Sequence, residues 1–349
     1  ILMISQEQLQ EIRDNLEMSQ NPLFLFDNDV DGLCAFLILQ RALGRGKGVA
    51  IKSFPDLKEQ YLGKVDEFNS DSVFVLDKSD ISPEFVDGCV ERNVPITMVD
   101  HHPCETSKEV LEKISYYNSL PSAEPTTYIA QSVFKKKEDR WLAMIGCTGD
   151  VFTPDFAQDF EQENPELFNS SISAFEALHT TEIGKVVRML NFGLMDTITN
   201  VVKLTKYLFT AKSVYDLLEE NEYTKQFHKR YSELFEFYKK QVGKAVDGID
   251  TDSPIIFFTY SGQMSMSSEI ANRLYFLYPE KLTVVCYKRP DKVNVSIRGK
   301  RALEITKKSV DGIEDATGGG HVEATGARIP IDGFEEFKAN VLSLVNSPQ

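Results

Sequence analysis

The segment Leu23-Phe24-Leu25-Phe26-Asp27-Asn28-Asp29-Val30-Asp31-Gly32 joins a short apolar run directly to three carboxylates. The apolar run predicts a buried strand, and the residues from about Leu33 to Leu43 predict a helix that ends at Gly44. Because three carboxylates within five residues repel one another, a bound cation would stabilise them. An acidic turn or a helix cap would explain the same residues, so this motif alone does not decide its function.

The alternation of strand and helix continues through the first half of the chain. Further strands are predicted at 49–54, 72–77 and 95–99, and helices at 81–92, 126–134 and 141–148. This order predicts a parallel sheet with helices packed on it. In such sheets, binding sites lie at the carboxyl ends of the strands.

The second half of the chain has a different pattern. Residues from about 155 to 250 are helical and poor in strand signals, and 223–246 predicts one long connecting helix. Strand signals return at 255–258, 282–287 and 292–298, with a helix predicted at 267–276. We therefore predict an α/β protein with a parallel-sheet domain at 1–200, a helical linker at 201–250 and a smaller α/β domain at 251–349.

Composition excludes several classes of protein. The 349 residues are 42% hydrophobic and 26% charged, as in globular proteins, and no apolar run reaches the roughly 18 residues of a membrane-spanning helix. The five cysteines are scattered and form no CxxC motif. The N-terminal residues turn polar after Ile4, unlike a signal peptide. These features predict a cytoplasmic protein without membrane contact.

The charge of the chain is uneven. The 53 acidic residues exceed the 38 basic ones and give a formal net charge of −15. A uniformly acidic surface would repel long nucleic acids. The segment 281–308, however, has nine basic and two acidic residues, a local charge of +7. It predicts a confined surface that faces anions, although a solvated basic surface would have the same composition.

Charged side chains also follow three other apolar segments. They are Asp77, the triplet Asp100-His101-His102, and Asp150. Together with the first motif they give an oxygen-rich set with one imidazole: Asp29, Asp31, Asp77, His101 and Asp150. Such a set suits Mn²⁺ or Mg²⁺ better than structural zinc. Two ions about 3.5–4 Å apart could clamp the attacking and leaving oxygens of a phosphoryl group.

These motifs, in this order, resemble those of the DHH phosphoesterase superfamily. At the other end of the chain, Thr317-Gly318-Gly319-Gly320-His321 followed by Ala324-Thr325-Gly326-Ala327 is similar to the glycine-rich signature of the DHH-associated domain. The resemblance covers about residues 20–340. The form of the 27–32 motif and the segment Arg188-Met189-Leu190-Asn191 are similar to RecJ-type exonucleases. Overall size is similar to the archaeal type.

The resemblance implies roles for the acidic residues and histidines. Asp29 and Asp77 would hold a first metal ion, and Asp31, His101 and Asp150, with Asp77 as a bridge, a second. His102 would contact the scissile phosphate, and Asp100 would orient a histidine. Another branch of the superfamily places a histidine ligand where this chain has Leu25. Asp27 is a candidate replacement for that ligand, and a capping role for Asp27 is equally open.

The resemblance also implies a substrate-binding set in the predicted domain at 251–349. Gly318, Gly319, Gly320 and His321 would contact a phosphate or a base, and Arg298 with Ser296 an adjacent phosphate. Arg188 and Asn191 would lie beside the metal site.

The implied activity is that of a RecJ-like exonuclease in DNA repair. It would hydrolyse single-stranded DNA or RNA from an end and release mononucleotides, with two Mn²⁺ ions as cofactor and Mg²⁺ as the alternative. Three alternatives stay open. They are a nanoRNase or 3′-phosphoadenosine-5′-phosphate phosphatase, a cyclic-dinucleotide phosphodiesterase, and a non-catalytic DHH scaffold in a replication or repair complex. The choice between RNA and DNA, the polarity, the oligomeric state and any protein partners stay undetermined.

Overall fold

The computed structural model describes residues 4–52 and 56–346, and the chain divides into two compact units. The first runs to Tyr231 and the second begins at Ser232. The last residues of the strand predicted at 49–54 lie outside the described residues. No helix in the described part of the chain is long and apolar enough to cross a membrane.

The described part of the first unit contains seven strands. They are β1 (Pro22–Asp27), β2 (Lys47–Ile51), β3 (Asp56–Leu57), β4 (Ser72–Leu76), β5 (Asp80–Ile81), β6 (Ile96–Asp100) and β7 (Ser115–Asn118). Five of these strands form one sheet in the order β2-β1-β4-β6-β7, and every neighbouring pair is parallel. The predicted parallel sheet is therefore confirmed, whereas β7 was not predicted.

Twelve helices belong entirely to the described part of the first unit. They are α1 (Gln6–Met18), α2 (Val30–Leu43), α3 (Leu62–Phe68), α4 (Pro83–Glu91), α5 (Lys108–Leu111), α6 (Thr126–Phe134), α7 (Arg140–Gly149), α8 (Ala157–Glu163), α9 (Ala174–Thr180), α10 (Glu182–Leu194), α11 (Ile198–Thr210) and α12 (Tyr215–Leu218). A longer helix, α13 (Lys225–Asp247), contains the boundary between the units and matches the helix predicted at 223–246.

Strand β1 has an unbroken apolar sequence because the sheet is covered on both faces. Phe24 and Phe26 belong to the core on the side of α2, and Leu23 and Leu25 to the core on the opposite side. The ring of Phe36 in α2 lies 5.4 Å from that of Phe24 and 4.8 Å from that of Phe26. Such two-sided burial is typical of parallel sheets.

Helix α2 begins three residues earlier than predicted. The carboxylate of Asp29 accepts a 3.0 Å hydrogen bond from the backbone N–H of Gly32, which caps the helix. The helix ends as expected at Gly44, whose φ of 73° is in the left-handed region. The acidic turn is therefore also a helix start, as the alternative interpretation of the motif had it.

The described residues of the second unit form a mixed sheet and three further α-helices. Its strands are β8 (Ile255–Tyr260), β9 (Leu282–Lys288), β10 (Lys292–Arg298), β11 (Thr317–Gly320) and β12 (Ala324–Pro330), and its helices α14 (Ser267–Leu277), α15 (Ala302–Val310) and α16 (Phe334–Asn346). The sheet order is β11-β12-β10-β9-β8, with β8 and β9 parallel and the other pairs antiparallel. A smaller α/β part is thus confirmed.

The glycine-rich segment forms part of a hairpin, although no strand was predicted there. Gly318, Gly319 and Gly320 lie on β11, which pairs with β12. Gly320 has a φ of 131°, and a Cβ atom there would lie 2.7 Å from the carbonyl oxygen of Ala324. Glycine is required at this position because a side chain would strain the turn.

Gly146 allows α7 to pack closely on α6, and this contact is testable. A Cβ atom on Gly146 would lie 2.7 Å from the Cβ of Thr127, whose hydroxyl donates to the backbone carbonyl of Asp31 at 2.8 Å. We expect Gly146→Ala to lower the free energy of unfolding by about 1–3 kcal/mol, measured by urea denaturation.

Gly63→Ala in α3 is the matched control, because no atom lies within 4 Å of the added methyl group. It should raise the free energy of unfolding by about 0.5–1 kcal/mol. Equal effects of the two substitutions would contradict the packing argument.

Candidate metal centre

Parallel pairing brings the predicted acidic residues to one edge of the first unit's sheet. Phe26 pairs with Leu76, and Leu76 pairs with Val99. The residues that follow on each strand, Asp27, Asp77 and Asp100, therefore come next along the same edge. Two groups there have ligand atoms within 4.8 Å of one another: Asp77, His101 and His102, and Asp31, His101 and Asp150.

His101 belongs to both groups. Its Nε2 atom lies 3.0 Å from Asp150 Oδ2, 3.2 Å from Asp77 Oδ1 and 3.8 Å from Asp31 Oδ2. The imidazole is 3% exposed, so these contacts are shielded from water. The structure thus brings together four of the five residues predicted to hold metal ions.

Asp77 has a buried oxygen available to a cation. It lies just after β4 with a φ of 60°, a conformation that few residues other than glycine adopt. Its Oδ1 accepts a 3.3 Å hydrogen bond from the hydroxyl of Thr126. No described residue donates a hydrogen bond to its buried Oδ2. Because an unsatisfied buried carboxylate oxygen is costly, this atom fits a metal ligand.

Asp31 is held in place by the start of α6, a helix far from it in the sequence. Its two carboxylate oxygens accept the backbone N–H groups of Thr126 and Thr127 at 2.8 and 2.9 Å. Pro125 precedes α6 and gives it no side-chain cap, so Asp31 satisfies the first N–H groups instead. The positive end of the helix dipole also favours the ionised carboxylate.

Asp29 interacts with the acidic cluster through its charge. Burial raises its pKa well above the ordinary value, and the charges of Asp77, Asp27 and Asp150 raise it further. Its carboxylate therefore lies within electrostatic reach of the cluster while it caps α2. Among the described residues, neither of the two groups with ligand atoms within 4.8 Å includes Asp29.

Asp100 holds His102. Its Oδ1 lies 2.9 Å from Nδ1 of His102, and its Oδ2 accepts the backbone N–H of His102 at 2.9 Å. The side-chain amide of Asn118 donates to the carbonyl oxygen of His102 at 2.8 Å. The sequence predicted that one histidine would be oriented by Asp100, and the structure places Asp100 against His102.

The two neighbouring histidine rings lie close together. Their centroids are 4.1 Å apart, and His102 Nδ1 lies 3.8 Å from Asp77 Oδ1. Adjacent side chains on a strand would point to opposite faces. These histidines follow the last residue of β6, where that alternation ends.

The cluster shifts the pKa values of its members. Burial and the charge of Asp150 raise the pKa of Asp31 to about 7, and burial and the charge of Asp31 raise that of Asp77 to about 7. Burial alone would lower the pKa of His101, but hydrogen bonds to Asp150 and Asp77 raise it to about 12. For His102, burial is outweighed by the hydrogen bond to Asp100, and the pKa rises to about 9.

Sequence reasoning missed Lys78. Its ammonium group lies 3.1 Å from Asp27 Oδ1, and its side chain is 3% exposed. A lysine directly after the strand-end Asp77, in a motif rich in carboxylates, was the available signal. Thr126 and Thr127 were missed as well, because they lie 95 and 96 residues from Asp31 along the chain.

The predicted substrate-binding residues of the second unit lie near one another. Arg298 Nη1 donates to the carbonyl oxygen of Thr325 at 3.1 Å, and Thr325 pairs with Gly320. Arg298 also donates from Nη2 to Ser268 at 2.7 Å, and Ser296 donates to Ser267 at 2.9 Å. His321 follows β11 in the turn of the hairpin. Burial lowers the pKa of Arg298 to about 10, against the charge of Glu269.

Arg188 and Asn191 lie three residues apart on α10 and therefore on one face of that helix. Both side chains are half-buried. Helix α10 packs against α7, which ends next to Asp150. Their predicted role beside the metal centre stays a prediction.

Comparison with known proteins gives structural matches. No protein-family model and no curated protein sequence matches the chain. RecJ from Thermus thermophilus in complex with Mn²⁺ matches with a TM-score of 0.68 and 15% identity over 98% of this chain and 55% of that chain. This chain thus spans about half of the Thermus RecJ.

Two further structures match over nearly their whole length. An exonuclease RecJ bound to manganese has a TM-score of 0.66 and 16% identity, with 100% of this chain and 97% of that chain covered. The DHH domain of a protein assigned to a family of ribosomal proteins has a TM-score of 0.69 and 15% identity, with 99% and 93% covered.

The chain therefore has the fold of the DHH superfamily. Its two-unit architecture is RecJ-like, since a RecJ chain aligns with it over 100% of this chain and 97% of that chain. The resemblance inferred from the motifs is confirmed at the level of the fold. The archaeal type stays a prediction.

The pKa shifts predict how the metal-free protein responds to pH. Asp31 and Asp77 have folded-state pKa values near 7, far above those of an unfolded chain, so the folded state keeps their protons longer. The pKa values of His101 and His102 are also raised in the folded state. The stability that their protonation contributes is complete below about pH 6.5, and the contribution of His102 is lost as the pH rises through about 9. Both effects have the same sign.

We expect the melting temperature of the metal-free protein to fall from pH 5 to pH 9, by scanning calorimetry with chelator present. Each proton retained only by the folded state corresponds to about 1.4 kcal/mol per pH unit. Mn²⁺ should stabilise the protein more at high pH, because its ligands bind deprotonated, the carboxylates as anions and the imidazole as the neutral base. A melting temperature that rises over this range would contradict the assignment, and Asp77→Asn should weaken the dependence.

Proposed function

We propose that the chain is a metal-dependent phosphoesterase that degrades single-stranded nucleic acid from an end, as a RecJ-like exonuclease. The main support is the position of His101 among three carboxylates, together with the buried Asp77 oxygen that accepts no hydrogen bond from a described residue. An oxygen-rich site with one imidazole fits Mn²⁺ or Mg²⁺.

The donor set would hold two ions, with Asp77 offering its oxygens to both. Asp29 would complete one position, and Asp31, His101 and Asp150 the other. Bound ions would supply an activated water and polarise the phosphate oxygens. The protein's own part is to hold these ligands: α6 fixes Asp31, and the turn after β4 fixes Asp77.

His102 is suited to bind the reacting phosphate. Because Asp100 binds its Nδ1 and its backbone N–H, the ring orientation is fixed before substrate arrives. In the metal-free protein the hydrogen bond to Asp100 outweighs burial and raises the pKa of His102, which favours an Nε2–H that could donate to an oxygen on which negative charge develops.

Residues of the second unit would bind the rest of the substrate. A Cβ atom added to Gly319 would have no atom within 4 Å, so packing within the protein does not require a glycine there. A phosphate that approaches the backbone closely would require one. Arg298 offers a guanidinium group beside the same hairpin. The local charge of +7 at 281–308 supports an anionic ligand.

Short oligonucleotides are the second candidate substrate. The net charge of −15 disfavours long strands, whose affinity depends on many basic contacts. A nanoRNase or 3′-phosphoadenosine-5′-phosphate phosphatase acts on a short substrate, so the basic contacts near Arg298 would be enough to bind it. A non-catalytic scaffold would not need the full set of carboxylates.

A time course with Mn²⁺ tests these candidates. The substrates are single-stranded RNA and DNA, labelled at either end, from dinucleotides to about 30 nucleotides, which exceeds a typical single-strand site. We expect stepwise or immediate release of mononucleotides from long strands. Cleavage of the shortest oligomers alone would favour the nanoRNase activity, and binding without any cleavage would favour the scaffold.

Asp77→Asn should abolish turnover in the same assay. The substitution preserves the shape of the side chain but removes the charge that both ions would share, so we expect a loss of about 10³-fold in kcat. Asp87→Asn, which breaks an exposed ion pair with Lys113, is the control and should leave kcat unchanged. Full activity of Asp77→Asn would refute the proposed mechanism.

Arg298→Lys tests the proposed substrate site. Lysine keeps the charge but loses the forked donor geometry, so we expect KM to rise about tenfold while kcat changes little. Arg289→Lys, at an exposed position of the same basic segment, should leave KM unchanged. Equal KM values for both variants would remove Arg298 from the substrate site.

A further inference from the structure

A buried lysine lies beside the candidate metal centre. Lys78 follows Asp77 directly, and its Nζ lies 3.1 Å from Asp27 Oδ1. The lysine side chain is 3% exposed and the Asp27 side chain 33% exposed. Burying an ammonium group is costly unless it is paired, so this contact is a built feature of the site.

The fold brings this pair together. Strands β1 and β4 are hydrogen-bonded neighbours, with Phe26 opposite Leu76, and the next residues along them are Asp27 and Asp77. Asp27 is close enough to Asp29 for its charge to act on that carboxylate. A carboxylate in this position is available to a metal ion unless another cation holds it.

We propose that Lys78 is a positioning residue that keeps Asp27 out of the set of metal ligands. The inference rests on the proposed metal centre and states whether one of its candidate ligands, Asp27, binds an ion. Asp27 then acts as the counter-ion of Lys78, and the ion next to Asp29 depends on Asp29 and Asp77. Leu25 offers that ion no ligand.

The ammonium group has two effects on an incoming cation. It withholds a carboxylate, and its positive charge repels the ion at short range. Both effects weaken binding at the position that Asp29 and Asp77 share. The same charge offsets part of the repulsion among the aspartates when no ion is bound.

An ordinary salt bridge would not have these effects. Lys113 and Asp87 form such a pair at 2.5 Å, with side chains 44% and 55% exposed. Exposed pairs contribute little and are screened by solvent. This pair in the same unit therefore provides a matched control for the loss of one lysine charge.

The experiment is a calorimetric titration of the metal-free full chain with Mn²⁺. Loss of the ammonium group removes a repulsive charge and frees the Asp27 carboxylate, so we expect Lys78→Met to bind Mn²⁺ about tenfold more tightly than the wild type, an effect of the size seen around metal ligands but of opposite sign. Lys78→Arg, which preserves the pair, should bind as the wild type does. The double variant Asp27→Asn/Lys78→Met should lose the part of the gain that the Asp27 carboxylate contributes and keep only the part due to the removed repulsion, and Lys113→Met should show no gain.

Unchanged or weaker binding by Lys78→Met, with a melting temperature that shows the variant folded, would overturn the inference. So would a crystal structure of the Mn²⁺-loaded wild type in which Asp27 ligates an ion. If Lys78→Met does not fold, the crystal structure of the Mn²⁺-loaded wild type still decides whether Asp27 ligates an ion.

The outcomes for the inference and for the proposed function differ. Binding by Lys78→Met with none by the wild type would support the role of Lys78 and count against a two-ion enzyme. Binding by neither protein would overturn both. Tight two-ion binding by the wild type that Lys78→Met leaves unchanged would support the enzyme and overturn the inference.

Discussion

Repulsion between carboxylates is the constraint on which the first unit depends. Parallel strands place their carboxyl ends at one edge, and here β1 and β6 end on an aspartate while β4 is followed by one. Asp31, Asp77 and Asp100 are each at most 2% exposed, so water does little to screen them. Such an arrangement persists only when other charges and dipoles compensate for it.

The compensation comes from hydrogen-bond donors that the fold supplies. The first N–H groups of α6 bind Asp31, the start of α2 binds Asp29, and the backbone and ring of His102 bind Asp100. Asp77 is the exception, because its Oδ2 has no such donor among the described residues. The described part of the chain thus supplies donors to the surrounding carboxylates and none to one oxygen of the central carboxylate, which a cation could bind.

Much of this centre could be predicted because its signals are local. An apolar run followed by an aspartate indicates a strand end, and the order of the motifs indicated the fold. The contacts that orient the ligands are not local: Thr126 reaches Asp31 across 95 residues and Lys78 reaches Asp27 across 51. The hairpin of β11 was missed for another reason, since a run of glycines has low strand propensity and pairing with β12 overrides it.

The uneven charge of the chain now has a structural explanation. The carboxylate cluster lies entirely in the first unit, and the basic segment 281–308 lies entirely in the second. Lys281 within that segment donates to the carbonyl oxygens of Thr251 and Ser253, so it stabilises the fold and contributes less to a binding surface. Arg298 differs from Lys281 because its N–H donors lie beside the hairpin, where the glycines leave the backbone uncovered by side chains. If cations occupy the first unit and Arg298 binds a phosphate, each unit supplies positive charge by a different route. A chain with a net charge of −15 can then act on an anion without a broadly basic surface.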